Sequence, residues 1–336
     1  MPDSPQVGGG TGHLQSEDWD LLACPRDKQK LTHHPGRLVC PVGHSYAIIE
    51  GVPILLVSDA EQTHIEGTRA LAIAESGDVS SLAQFHLGPD DIDPFVRNAI
   101  GATNGGLYQH LVGNLSEYPI PKLRLPPGEN RRFLEVGCNW GRWCIAAARS
   151  GYHPIGIDPS LKSIRAANRV ARQLGIRASY IVADGRYLPF RDQAFDQAFS
   201  YSVLQHLSKQ NATETLSEVH RVLRDGANAL IQMPNVFGVR CFYHQLRRGF
   251  REGRDFEVRY WKPRDLLATF IEQIGPSELS VDGFFTLNPQ ASDLHLLPHR
   301  YRALVRGSEL LRHLSGKLSI LAKFADSLYV SSRRAG

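Results

Sequence analysis

The stretch Arg132-Phe-Leu-Glu-Val-Gly-Cys-Asn-Trp-Gly-Arg-Trp143 constrains the chain more than any other. Residues 133–136 read as a short buried strand, 137–141 as a glycine-bounded turn, and 145–148 as the start of a helix. Strand, Gly-x-x-x-Gly turn and helix in succession make a platform for a nucleotide-like ligand. The first glycine lets the backbone turn sharply and the second lets it approach a ligand closely. Glu135 puts an acid in a strand that is usually apolar in dinucleotide-binding proteins.

Downstream, apolar strands alternate with helical periodicity. Strands are expected at 153–157, 178–183, 195–200 and 227–233, and helices at 160–174, with Ser160 as N-cap, and 213–223. A helix at 264–274, a strand near 279–287 and a last strand at 327–331 follow. Residues 291–325 are helical and basic, and are expected to form an insertion near the active site. This alternation predicts an α/β fold with a parallel sheet and helices on both faces. In such a sheet the ligand sits at the carboxyl ends of the strands. There the Gly137–Gly141 turn is joined by Asp158, which can accept from both ribose hydroxyls, and by Asp184-Gly185, whose acid can accept from an adenine amino group. A dinucleotide needs Gly-x-Gly-x-x-Gly, and Asn139 occupies the second glycine position.

The pattern Glu135-x-Gly137-x-x-x-Gly141 resembles the first motif of the class I S-adenosylmethionine-dependent methyltransferases, and the resemblance runs over residues 129–235. Leu188-Pro-Phe190, Phe195-Asp196, Ser202-Val-Leu-Gln-His-Leu207 and Glu218-Val-His-Arg-Val-Leu-Arg-Asp-Gly226 resemble the branch containing ubiquinone and small-molecule methyltransferases. Asp225-Gly226-Ala227 departs from that family's Pro-Gly-Gly, which affects a turn. The resemblance implies a seven-stranded Rossmann-like sheet. It implies that Glu135, Gly137, Cys138, Asn139, Trp140 and Gly141 surround the methionine part of the cofactor. Asp158 would hold the ribose and Asp184 with Gly185 the adenine, and Pro159 and Ser200 complete the expected cofactor-binding set. Trp140 could wall the pocket, and Trp143 reads as core. His206 is the candidate general base, with Tyr201 and Tyr108 behind it.

Residues 18–58 read as a small β-rich module with strands at 37–40, 45–49 and 54–57, too small to build much core unaided. It carries Cys24-x2-Asp27-x12-Cys40-x3-His44, two ligand pairs spaced as in a zinc ribbon. Leu22-Ala-Cys-Pro, Leu38-Val-Cys-Pro and the 46–56 run resemble the zinc-binding activator subunit of tRNA and protein methyltransferases. The spacing also resembles the zinc site of ribosomal-RNA guanine-N1 methyltransferases. Asp27 replaces a cysteine in both comparisons, so a ribbon that has lost its metal is the alternative. His33, His34 and His64 read as surface histidines. Residues 1–17 read as a disordered leader. Residues 59–128, with helices at 61–74 and 94–100 and Tyr108 and His110 beyond them, read as a helical linker or lid.

The methyltransferase domain is thus expected over 129–336. No apolar run reaches membrane-spanning length, and the N-terminus lacks the features of a signal peptide, so a cytoplasmic location is expected. Five cysteines suggest no disulfide framework, and a net charge of +4 does not demand nucleic acid. The expected activity is O-methylation of a small molecule: a sugar, lipid or secondary metabolite. The alternative is an RNA base methyltransferase using the ribbon and the cluster Arg240, Arg247, Arg248, Arg251 and Arg254. Against it, Ser200-Tyr-Ser-Val203 replaces the Asn/Asp-Pro-Pro-Tyr/Phe motif of many base-amino methyltransferases. S-adenosylmethionine and one structural zinc are the expected ligands, and a homo-oligomer is compatible with the sequence.

Overall fold

The computed structural model describes residues 14–285, 288 and 290–336. Most of the expected leader, and Thr286 and Leu287 of an expected strand, lie outside the described residues. The N-terminal module contributes β1 (Thr32–His34), β2 (Arg37–Val39), β3 (Ser45–Ile49) and β4 (Val52–Leu55). Helices α1 (Ile65–Ser76) and α2 (Pro94–Thr103) follow. The rest alternates through β5 (Arg132–Val136), α3 (Arg142–Arg149), β6 (His153–Asp158), α4 (Leu161–Gln173), β7 (Ser179–Ala183), β8 (Phe195–Ser200) and α5 (Lys209–Val222). It continues through β9 (Leu223–Pro234), α6 (Val239–Arg247), α7 (Pro263–Gln273), β10 (Ser277–Gly283), α8 (His299–Ser315), α9 (Ser319–Ala322) and β11 (Ser327–Arg333).

The expected alternation is present, but the sheet is larger than expected. Its order is β1-β2-β3-β4-β7-β6-β5-β8-β9-β11-β10, eleven strands rather than seven. The chain from β5 onward supplies seven of them. The module joins through β4, which pairs in parallel with β7 at Ile54↔Val182 and Leu55↔Ala183. β7 would otherwise be an edge strand, and β4 gives its backbone groups partners. The salt bridge from Lys28 Nζ to Glu218 Oε2, 2.7 Å long, also ties the module to α5.

The sheet places a ligand crevice by topology. From β5 the chain builds outward through β6 and β7, then returns to start β8 on the other flank of β5. The carboxyl ends of β5 and β8 therefore border a crevice where the strand order reverses. β7 is buried along its whole length, and β5 everywhere but at Arg132, as parallel strands with helices on both faces must be. Ser160 caps α4 as read, its Oγ accepting from Ser163 N at 3.2 Å.

The insertion is helical, as expected, but it does not approach the crevice. Leu297 and Val305 belong instead to the core cluster of Val96, Ile100 and Tyr108.

Candidate functional site

At the end of β5 the backbone turns through Gly137 (φ 79°), Asn139 (φ 47°) and Gly141 (φ 80°). A Cβ on Gly137 would fall 2.4 Å from Val203 Cγ2, and one on Gly141 2.5 Å from the Tyr180 hydroxyl. Both positions need glycine for their dihedral and for lack of room. β5 and β6 run in register through Val136↔Ile157, which brings Asp158 beside the turn. Asp158 accepts from Asn139 N at 3.0 Å and from Ser160 N at 2.9 Å, so one carboxylate fixes both the turn and the start of α4. Burial pushes its pKa up to about 6, opposed by those two N–H groups.

A cavity of about 790 Å³ opens over this turn. Gly137, Asn139, Asp158, Pro159, Asp184 and Gly185 line it, which brings together most of the residues read as the cofactor site. Asp184 is held by Arg186, whose Nη2 donates to Oδ2 at 2.8 Å and whose backbone N donates to Oδ1 at 2.9 Å. Arg186 also reaches Glu61 O at 2.5 Å, so the segment before α1 is tied to the floor of the site. Acids on successive strand ends, beside a turn with room for a ligand, are the acceptors that a ribose diol and an adenine amino group require as donors. The residues present therefore fit an adenosine-bearing cofactor.

Several expected site residues lie elsewhere. Glu135 is buried beneath the turn, off the cavity wall, with Oε2 lacking a partner; burial raises its pKa to about 8. The Cys138 side chain points into the core under Gly156, so only its backbone belongs to the turn. Trp140 is almost fully buried and packs against Tyr118, ring centroids 5.9 Å apart; it is core and not a pocket wall. Trp143 is core, as read. Ser200 donates to Val136 O at 2.8 Å, which ties β8 to β5, and is not among the residues lining the cavity.

The three candidate catalytic side chains separate. Tyr108 is fully buried off the cavity, and its hydroxyl donates to Asp293 Oδ2 at 2.5 Å, clasping the segment after α2 to the one before α8. Tyr201 lines the cavity, but its hydroxyl donates to Asp282 Oδ2 at 2.8 Å and accepts from Gln290 Nε2 at 3.1 Å. His206 lines the cavity with its ring flat on Phe256, centroids 4.0 Å apart and planes 5° from parallel. Its Nδ1 must donate to Phe256 O (2.7 Å), since a carbonyl only accepts, and its Nε2 accepts from Gln205 Nε2 at 3.2 Å. Burial lowers its pKa to about 4, so the ring is neutral and only weakly basic.

His64, read as a surface histidine, lines the cavity and meets the same Phe256 edge to face, at 4.8 Å. It is the N-cap of α1: its Nδ1 accepts from Glu66 N at 3.1 Å. A backbone N–H only donates, so the neutral ring carries its proton on Nε2. Further wall comes from α2, through Phe95, Asn98 and Ala102, from α4, through Lys162 and Arg165, and from Ser202, whose Oγ donates to Asn288 Oδ1 at 2.6 Å.

A second cluster forms in the N-terminal module, from residues spread over 24–44. The ligand atoms of Cys24, Asp27, Cys40 and His44 all lie within 4.8 Å of one another. His44 Nδ1 is 3.5 Å from Cys24 Sγ, 3.4 Å from Cys40 Sγ and 3.1 Å from Asp27 Oδ2; Cys40 Sγ is 3.3 Å from Asp27 Oδ2. Zinc bonds of ordinary length set tetrahedral edges of roughly 3.3–3.8 Å between such atoms. The four side chains therefore fit a zinc ion.

Residues 133–226 match the family model described as a methyltransferase domain. Among curated proteins, the ubiquinone biosynthesis O-methyltransferase of Sinorhizobium medicae is 28% identical over 129 residues, covering 34% of this chain and 52% of the relative. The tRNA (carboxymethyluridine(34)-5-O)-methyltransferase of Saccharomyces cerevisiae is 30% identical over 134 residues, covering 37% and 41%. The chain thus spans about half or less of the length of these relatives. Among solved structures, an S-adenosylmethionine-dependent methyltransferase from Methanosarcina mazei aligns with a TM-score of 0.46 at 18% identity, covering 63% of this chain and 99% of that one.

Proposed function

We propose that the protein is an S-adenosylmethionine-dependent methyltransferase acting on an oxygen of a small molecule. The observation that carries the reading is the placement of Asp158 and Asp184 on successive strand ends around the glycine turn, all on one cavity wall. The methyltransferase-domain match over the same residues supports it. When bound, the cofactor supplies a methyl group on a sulfonium, already electrophilic, so the protein need only align the acceptor and exclude water.

The site offers little basicity. His206 has both ring nitrogens engaged and a pKa near 4, and the Tyr201 hydroxyl is held by Asp282. A general base works best with a pKa near the operating pH. The acceptor that suits these walls is an oxygen acidic enough to ionise by itself, such as a phenol, an enol or a carboxylic acid. His64, with its proton on Nε2, is a wall residue able to donate to that oxygen. His206 then acts as a positioning residue that holds the Phe256 loop over the cavity. We assign the N-terminal cluster as a structural zinc site in the same protein.

An RNA acceptor is the second reading, supported by the tRNA methyltransferase among the relatives. Methyl-labelled cofactor incubated with fractionated cell extract tests both. Label in a small acidic metabolite supports the first reading, and label in RNA replaces it with the second.

A further inference from the structure

Two stretches of the chain, residues 236–251 and 310–325, contain no carboxylate side chain. The fold sets them side by side: Val239 N donates to Phe324 O at 3.3 Å, and Asn235 Nδ2 to Lys323 O at 3.0 Å. α6 turns Cys241 and Gln245 inward, where Cys241 N meets Asp326 Oδ1 at 2.8 Å and Gln245 Nε2 meets Val236 O at 2.9 Å. Its outer side carries Val239, Phe242 and Leu246, 52%, 49% and 57% exposed, between the equally exposed Phe237 and Phe250. Across the junction, Leu318, Ile320 and Phe324 are also more than half exposed. Arg240, Arg247, Lys317 and Lys323 border these side chains in sequence, all exposed, and none has an ion-pair partner among the described residues.

The structure assigns this α6–α9 face as a docking surface for an anionic phospholipid bilayer. A soluble monomer seldom leaves an apolar patch of this kind uncovered. Apolar side chains interleaved with unpaired cations, with no carboxylate in residues 236–251 or 310–325, match the boundary between acyl chains and acidic headgroups. The aliphatic members separate this from a nucleic-acid surface, because Val239, Leu246, Leu318 and Ile320 have no ring on which a base can stack. The same charge pattern disfavours a second copy, because an isologous contact would press one basic patch against another. No helix among the described residues is long and apolar enough to cross a membrane, so the contact is peripheral. The loop leaving α6 carries Phe256, which lines the cavity, so docking would set the cavity mouth near the headgroups. The inference does not rest on what the cavity binds.

The test is co-sedimentation of the full chain with phosphatidylcholine vesicles, with and without about one-third phosphatidylglycerol. Saturable binding to the anionic vesicles alone, weakened at least ~10-fold by the pair Arg240→Glu and Arg247→Glu and by raised salt, is expected. The pair Phe242→Ser and Leu246→Ser should also lose binding while thermal unfolding stays unchanged. Equal sedimentation with neutral vesicles or none, or retained binding in both pairs, overturns the proposal. So does a dimer in sedimentation velocity that becomes a monomer in the Phe242/Leu246 pair. Tight RNA binding lost in the arginine pair, without vesicle binding, also overturns it.

Discussion

His206 lies flat against Phe256 and donates its Nδ1 proton to that residue's own carbonyl, 2.7 Å away. One contact thus desolvates the imidazole and spends its proton on holding a loop. The histidine contributes stability above the ~6.5 of a free imidazole, and that contribution is lost as pH falls toward about 4. Phe256→Ala should rehydrate the ring and raise its pKa toward 6.5, read from histidine C–H resonances against pH. His206→Ala should raise KM several-fold more than it lowers kcat. A wild-type His206 titrating near 6.5, or a loss confined to kcat, would identify it as a base.

Glu135 makes the opposite linkage. Its folded pKa of about 8 lies above its ordinary 4.5, so the stability it contributes is complete below 4.5 and is lost as pH rises through about 8. The thermal midpoint of the ligand-free protein should therefore fall between pH 5 and pH 8. Glu135→Gln, which keeps the shape without the charge, should flatten that slope. An unchanged slope in the variant means the buried acid is not its source.

Tyr108→Phe separates the role read from the sequence from the one in the fold. Removing the hydroxyl leaves Asp293, itself buried, without its 2.5 Å donor, at a cost of about 1–3 kcal/mol. A lower unfolding midpoint with unchanged cofactor affinity is expected. Intact stability with lost turnover would restore a catalytic role.

For the N-terminal cluster, the purified chain should carry one zinc per molecule by elemental analysis, lost in Cys40→Ala with a lower unfolding midpoint. A metal-free wild type whose midpoint ignores added zinc and chelator would show that the module holds by packing alone.

What could be read in advance followed from local rules. Buried strands have apolar runs, Ser160 sits one residue before a helical period, and Asp158 and Asp184 follow directly on apolar strands, so their places at the sheet's carboxyl edge were legible. The pairing of Ile54 with Val182 was not, because nothing local encodes a register between segments so far apart. Trp140 and Ser200 were misplaced because side-chain direction in a turn with positive φ, and at a strand's last residue, depends on what packs around it. His64 carried a usable signal, one residue before a helix with Glu66 in its first turn, but only the fold brings it to Phe256.

The central claim is that the turn and its two acids bind S-adenosylmethionine, and calorimetric titration tests it most directly. The wild type should bind one equivalent, with Asp158→Ala weakened at least ~10-fold, the loss expected when a carboxylate that holds a ribose diol is removed. No heat with S-adenosylmethionine, tight binding of a nicotinamide dinucleotide instead, or equal affinity in Asp158→Ala would contradict the account.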